Sequence, residues 1–197
     1  MLMRTSGAPT AGGRLLTIGI AGLGAAALVG LGIKYKFESR WDLLLQVAAS
    51  LVILAVFIAA RGRLHQDSTS TLFVVLTALV HNLGFYGSHP LGIRFDHYAH
   101  FLGAFSVAIV IDRIYVEKLP RQKRFLLVVL STIGVGGILE IVQWIDGYLL
   151  PNVAFFKADD ISNTMGDMIS NTLGGMIMGI VTLLRKEAKD IPSAATR

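Results

Sequence analysis

The stretch "LLTIGIAGLGAAALVGLGI", residues 15–33, decides the fold class, because 19 consecutive residues carry no charge. A helix of that length rises about 28 Å, close to the roughly 30 Å of hydrocarbon in a bilayer. Arg4 and Arg14 precede the run, so a secretory signal is the competing reading. A signal core is usually only about 7–15 residues long. An uncleaved first transmembrane helix is therefore the expectation.

Five further apolar runs follow, at 43–60, 71–86, 98–114, 125–144 and 165–184. Each approaches the length needed to cross a membrane. The third is short and the sixth begins with polar residues, so five spans plus a partly inserted helix is the alternative to six. Pro120 and Pro151 fall between runs, where helix breakers belong. The sequence predicts an all-α polytopic transmembrane bundle. A single membrane domain, residues 15–186, is expected between an N-terminal tail (1–14) and a C-terminal tail (187–197).

Composition agrees. Hydrophobic residues make up 53% of the 197 and the mean hydropathy is +0.62, more than a soluble domain sustains. The 21 glycines suit closely packed membrane helices. There is no cysteine, which excludes disulfides and thiolate metal sites. The net charge of +5 does not indicate nucleic-acid binding, because the basic residues gather at the ends of apolar runs with no aromatic-interleaved stripe. Membrane lipids are the expected partners. No nucleophile elbow, phosphate loop or dinucleotide fingerprint is present.

Lys and Arg also orient the chain. Thirteen of the 18 fall in the N-terminal tail, the 61–70 loop, the 113–124 segment and the C-terminal end, and the other five lie on the alternate side. The positive-inside rule then puts both termini in the cytoplasm of a cell bounded by this plasma (inner) membrane. It puts "GSHPLGIRFDHYAH" (87–100) and "ADDISNTMGD" (158–167) on the outer side.

Three polar groups sit where lipid is expected. The fourth run opens with Asp96, His97 and His100, the fifth closes with Glu140, Gln143 and Trp144, and the sixth opens with Asp160, Asn163, Asp167 and Asn171. His100 is 13 residues from Arg113, Glu140 is 16 from Arg124, and Asp167 is 18 from Arg185. Those spacings correspond to heights of about 20, 24 and 27 Å above the inner ends. The three groups therefore reach the outer third of the bilayer and can meet if the helices are neighbours. Residues four apart share a helix face. Below His100 lie Ala104 and Ala108, below Glu140 lie Gly136 and Thr132, and below Asp167 and Asn171 lie Gly175 and Gly179. Small residues let helices approach closely, so these faces point inward, and an outward-opening polar cleft is expected. In the first run, Gly22, Ala26 and Gly30 read as a packing face.

With these motifs in view, "FDHYAHF" (95–101), "LEIVQW" (139–144) and "DISNTMGDMISNTLGG" (160–175) resemble, in that order, the VanZ-like membrane family and its YjdF-type relatives. The Asp-x-x-x-His-Phe pattern falls on Asp96, His100 and Phe101, and Glu-x-x-Gln on Glu140 and Gln143. The Asp-x-x-x-Asn-x-x-Gly pattern falls on Asp167, Asn171 and Gly174. Trp144, Asp160, Thr164 and Met168 add to the YjdF-type likeness. His97 stands where a basic residue is common, Asn163 where Asp is frequent, and Lys157 where an Arg often precedes the last motif. The likeness spans about residues 90–180. It implies a shared site and a link of some members to glycopeptide resistance, with no established reaction.

Several functions remain open on these residues. An envelope protein could bind a lipid-like or envelope-precursor ligand through Asp96, His97, Gln143, Asp160, Asn163 and Asn171. A membrane-embedded hydrolase or transferase could use His100, Glu140 and Asp167 catalytically, with a carboxylate as general base and His100 as acid. The same three residues are the candidate ligands of a divalent metal, since zinc accepts His and carboxylate donors. A scaffold would use the cluster only as interhelical hydrogen-bond glue. Asp159, Asp160 and Ser162 are candidate caps for the sixth helix. His81 and Asn82 could join the cleft but suit packing better. Arg94 is a candidate anion anchor, and Trp41, Trp144 and Tyr148 are candidate interface residues.

Overall fold

The structure is a computed structural model that describes residues 11–62, 66–83, 95–116, 118–149 and 161–185. Among them are six helices and no strand: α1 (Ala11–Phe37), α2 (Trp41–Ala59), α3 (Ser68–Asn82), α4 (Phe95–Tyr115), α5 (Arg121–Leu149) and α6 (Ile161–Leu184). Five of them are long and apolar enough to cross a membrane, and α3 is a shorter apolar helix. The all-helical bundle read from the sequence is the observed architecture.

The helices pack as two groups of three. Leu28 and Tyr35 of α1, Leu43, Val47 and Leu54 of α2, and Val75 of α3 form one buried cluster. Ala108 and Ile109 of α4, Val128 of α5 and Met178 of α6 form the other. Phe73 of α3 joins the groups by packing on Phe105 of α4, with ring centroids 4.9 Å apart. Beside it, the Thr77 and Ser106 hydroxyls are 2.8 Å apart. Outside these cores the surface is apolar: Leu23, Ile53, Leu130, Ile138 and Ile161 are all more than half exposed. Such a coat is unfavourable in water and natural against lipid tails.

The bounds of α3 differ from the 71–86 run. Asp67 accepts from the Ser70 N–H at 2.9 Å and Ser70 Oγ accepts from the Asp67 N–H at 3.0 Å, a reciprocal cap that starts the helix early. At its other end, Asn82 is fully buried. Its side chain donates to Ser50 Oγ and to the Ala78 carbonyl, both at 2.7 Å, and Tyr35 Oη donates to its carbonyl. A helix that ends inside a bundle must satisfy its last carbonyls internally; Tyr35 does so for Asn82 and the Asn82 side chain does so for Ala78, while Ser50 accepts from that same side chain. Asn82 is thus a packing residue.

The packing face of α1 also differs from the sequence reading. Gly22, Ala26 and Gly30 are exposed, and Ala21, Gly24, Leu28 and Gly32 are buried instead. A Cβ at Gly24 would lie 2.5 Å from Val75, so the α1–α3 approach runs through that glycine. Small residues recur on both faces of α1, and composition alone could not choose between them.

At one end of the second group a charged network ties four helix termini together. Asp112, at the end of α4, is completely buried. It accepts from Thr182 at 3.0 Å and from Arg185 at 3.0 Å, and its other near neighbour is Arg124 at 3.2 Å. Arg124 is 1% exposed and also donates to the Val116 carbonyl at 2.6 Å. Arg113 pairs with Asp67 at 2.9 Å. Burial, with Arg113 close by, pulls the Arg185 guanidinium below its usual value, and Asp112 pulls the other way.

Candidate functional site

The buried faces of three helices converge on the opposite end of the second group. On α5 the buried residues recur every four positions, Arg124, Val128, Thr132, Gly136 and Glu140, the spacing of a single helical line. On α6 the line is Asn163, Asp167, Asn171, Gly175, Gly179 and, one turn further, Thr182. On α4 it is Ala104, Ala108 and Asp112 beneath a half-buried His100. Close contact needs the small residues. A Cβ at Gly174 would sit 2.5 Å from the Phe101 carbonyl oxygen, and one at Gly136 would sit 2.5 Å from Nδ2 of Asn171. Polar side chains above those positions are therefore drawn together.

Asp167 lies at the centre and is fully buried. Its Oδ1 is 2.8 Å from His97 Nδ1. Its Oδ2 accepts from Asn163 Nδ2 at 3.0 Å and faces His100 Nε2 at 3.6 Å. The other ring nitrogen of His100 is 3.3 Å from Asn171 Nδ2 and 3.7 Å from Glu140 Oε1. Asp96 Oδ1 accepts from the His97 backbone N–H at 3.0 Å and lies 3.8 Å from the His97 ring. An acid in the first turn of α4 also suits the positive end of the helix dipole. The His97 ring is seated on Gly166, where any Cβ would strike it.

Carboxylates and imidazoles thus alternate: Glu140, His100, Asp167, His97, Asp96. Two triads have ligand atoms all within 4.8 Å of one another, His100–Glu140–Asp167 and Asp96–His97–Asp167. Chemically, such a cluster can exchange protons, donate to and accept from a polar headgroup, or ligate a cation.

Of the residues singled out from sequence, Asp96, His97, His100, Glu140, Asn163, Asp167 and Asn171 are brought together here. Gln143 lies one turn beyond Glu140 on α5, and its buried Oε1 has no hydrogen-bond partner among the described residues. Asp160, Asp159, Lys157 and Arg94 lie outside the described residues. Ser162 is an exposed residue inside the first turn of α6. His81, at the end of α3, lies within electrostatic reach of His100. Trp144 and Tyr148 are exposed and stack with centroids 5.5 Å apart, and Trp41 is exposed on α2, all suited to the membrane interface.

Sequence reasoning missed Asp112. Asp112 adjoins Arg113 near the end of the 98–114 run and was not singled out. Yet it continues the line His100, Ala104, Ala108 at four-residue spacing, as Arg124 continues that of Glu140. The signal was present in the same lines that located the His100–Glu140–Asp167 cluster.

The model of a family described as "Predicted membrane protein (DUF2238)" matches residues 16–188. No curated protein and no solved structure matches.

Proposed function

The chain belongs to the DUF2238 family of predicted membrane proteins, and from that premise we propose that it is an envelope protein whose outer polar cluster binds a lipid-like or envelope-precursor ligand. In this reading residues 15–186 form the membrane domain, both tails are cytoplasmic and the membrane is the inner one. The basic residues at alternate loop ends support that orientation. Motif likeness to VanZ-like and YjdF-type chains supports a site shared with that group. The observation that carries the reading is Asp167: a carboxylate with no exposed surface, contacted by Asn163 and His97 and facing His100, inside a bundle otherwise coated for lipid. Ionisable groups at such depth are expensive and mark functional sites.

A second reading, a membrane-embedded hydrolase or transferase, is favoured by one feature. Glu140 and Asp167 flank a single imidazole, His100, at 3.7 and 3.6 Å, an arrangement suited to general acid–base work. In that case Glu140→Gln removes turnover and leaves ligand binding intact.

Native mass spectrometry tests the binding reading. The chain, released from mild detergent, is offered polyprenyl phosphate and phosphatidylglycerol. Wild type and Arg61→Gln should retain one of these lipids as an adduct, and Asp167→Asn should lose it at least about tenfold. Equal adducts in all three proteins, or none in any, would overturn the reading.

A further inference from the structure

We propose that Asp167 bridges two divalent-cation positions, one completed by His100 and Glu140 and the other by His97 and Asp96. The inference rests on the reading of this cluster as a ligand site and adds what the site holds.

The two oxygens of Asp167 face different imidazoles. Oδ1 points to His97 at 2.8 Å and Oδ2 to His100 at 3.6 Å. A carboxylate whose oxygens are divided in this way has the geometry of a bridge rather than of a single ligand. Each imidazole then brings a second carboxylate: Glu140 3.7 Å from His100, and Asp96 3.8 Å from His97. Both resulting triads keep their ligand atoms within 4.8 Å of each other.

The distances separate cation ligation from hydrogen bonding on the His100 side. A hydrogen bond between nitrogen and oxygen spans about 2.7–3.2 Å. Donors around one tetrahedral cation at roughly 2.1 Å stand about 3.4 Å apart. The His100 Nε2–Asp167 Oδ2 separation of 3.6 Å lies beyond the first range and near the second, whereas the 3.7 Å approach of Glu140 is to the other ring nitrogen, Nδ1, so Glu140 joins this position through the looser 4.8 Å grouping. On the His97 side the 2.8 Å contact with Asp167 is a hydrogen bond, so that pair must open by about 0.6 Å to admit an ion. The Asp96–His97 separation already exceeds that spacing. Both positions thus adjust to admit an ion: Glu140 shifts toward the Nε2 side of His100, and the His97–Asp167 pair opens.

The surrounding side chains are those that ligand positioning requires. Asn163 donates to Asp167 Oδ2, Asn171 lies 3.3 Å from His100 Nδ1, and Gly166 fixes the His97 ring. Such neighbours orient metal-bound groups. With an amide rotation, Asn171 accepts from the Nδ1–H of His100 and leaves its Nε2 lone pair facing Asp167. Two cations sharing one carboxylate lie about 3.5–4 Å apart, a spacing that suits the oxygens of a phosphate, the group carried by both lipids offered in the binding test above.

Manganese tests the proposal. The untagged chain in detergent is stripped with a chelator, reloaded with Mn(II) and desalted. Bound metal is counted by elemental analysis, and electron paramagnetic resonance reports coupling between ions. Wild type should retain about two ions per chain with an exchange-coupled spectrum. His97→Ala should keep about one, with the hyperfine pattern of an isolated ion, and His100→Ala should also lose about one. The His97→Ala spectrum is informative only from folded protein, so a variant that elutes as aggregate is replaced by Asp96→Asn, for which the same isolated-ion spectrum is expected. A single ion with no coupling in wild type overturns the bridge. No retained metal, with lipid adducts still lost in Asp167→Asn, overturns the cation inference alone and leaves the lipid-binding reading standing.

Discussion

Asp112 offers the sharpest test of how the bundle is held, because everything around it is fixed by named contacts. Its carboxylate accepts from Thr182 and Arg185, both at 3.0 Å, and lies 3.2 Å from Arg124. Asp112→Leu removes the acid from a guanidinium that is only 1% exposed. Removing one partner of a buried ion pair costs about 3–5 kcal/mol. Thr182 keeps its bond to the Met178 carbonyl at 3.0 Å, so its hydroxyl is not left unpaired and its contribution is small. The Arg185 side chain is 27% exposed and can turn toward water, so its share is small. The expected loss is therefore about 3–5 kcal/mol, read from unfolding of the chain in mixed micelles by a denaturing detergent and followed by circular dichroism. Asp112→Asn keeps an acceptor for Thr182 and should lose less. Asp112→Leu combined with Arg124→Leu should recover part of the loss, since apolar replacement of a whole pair is often neutral. The control is Glu38→Ala, which breaks the exposed Lys34–Glu38 pair and should cost under about 1 kcal/mol. A loss for Asp112→Leu no larger than that control would refute the idea that this network locks the helix ends.

Three further outcomes are expected. Gly174→Leu should destabilise the fold by about 1–3 kcal/mol or prevent folding, because its Cβ meets the Phe101 carbonyl at 2.5 Å; Gly137→Ala, with nothing within 4 Å, should be neutral or stabilising in the same unfolding assay. Tyr35→Phe takes the hydroxyl from the buried Asn82 carbonyl and should cost about 1–3 kcal/mol, visible as a lower midpoint of thermal unfolding. Reporter fusions at Arg94 and Arg197 should give opposite-side signals, and same-side signals would contradict the six-crossing arrangement.

Much of the bundle was legible because lipid imposes one strong rule: a long uncharged run such as 15–33 has few alternatives to a spanning helix. The polar cluster was legible for a related reason. His100, Glu140 and Asp167 each sit above small residues at four-residue spacing, and that spacing fixes which face turns inward. The start of α3 was less visible, because Asp67 and Ser70 cap it through a reciprocal pair that apolar content does not reveal. The face of α1 was misread because Gly22 and Gly24 are chemically alike, and only the position of Val75 distinguishes them. Asp112 was missed because an acid beside Arg113 near the end of a run shows no partner until Arg124 and Arg185 are brought against it by α5 and α6. In each case the missing information was a contact to another helix.

The central claim, that His100 of α4, Glu140 of α5 and Asp167 of α6 act as one site, is tested most directly by a double-mutant cycle. The stabilities of His100→Ala, Glu140→Ala and the double variant are measured in detergent, with Glu140 and Arg61 as a distant control pair. The 3.7 Å separation of the first pair predicts a coupling of about 0.5–3 kcal/mol, with the double variant losing much less than the two singles together and the control pair adding. Additive losses for His100 and Glu140, equal to those of the control pair, would contradict the account.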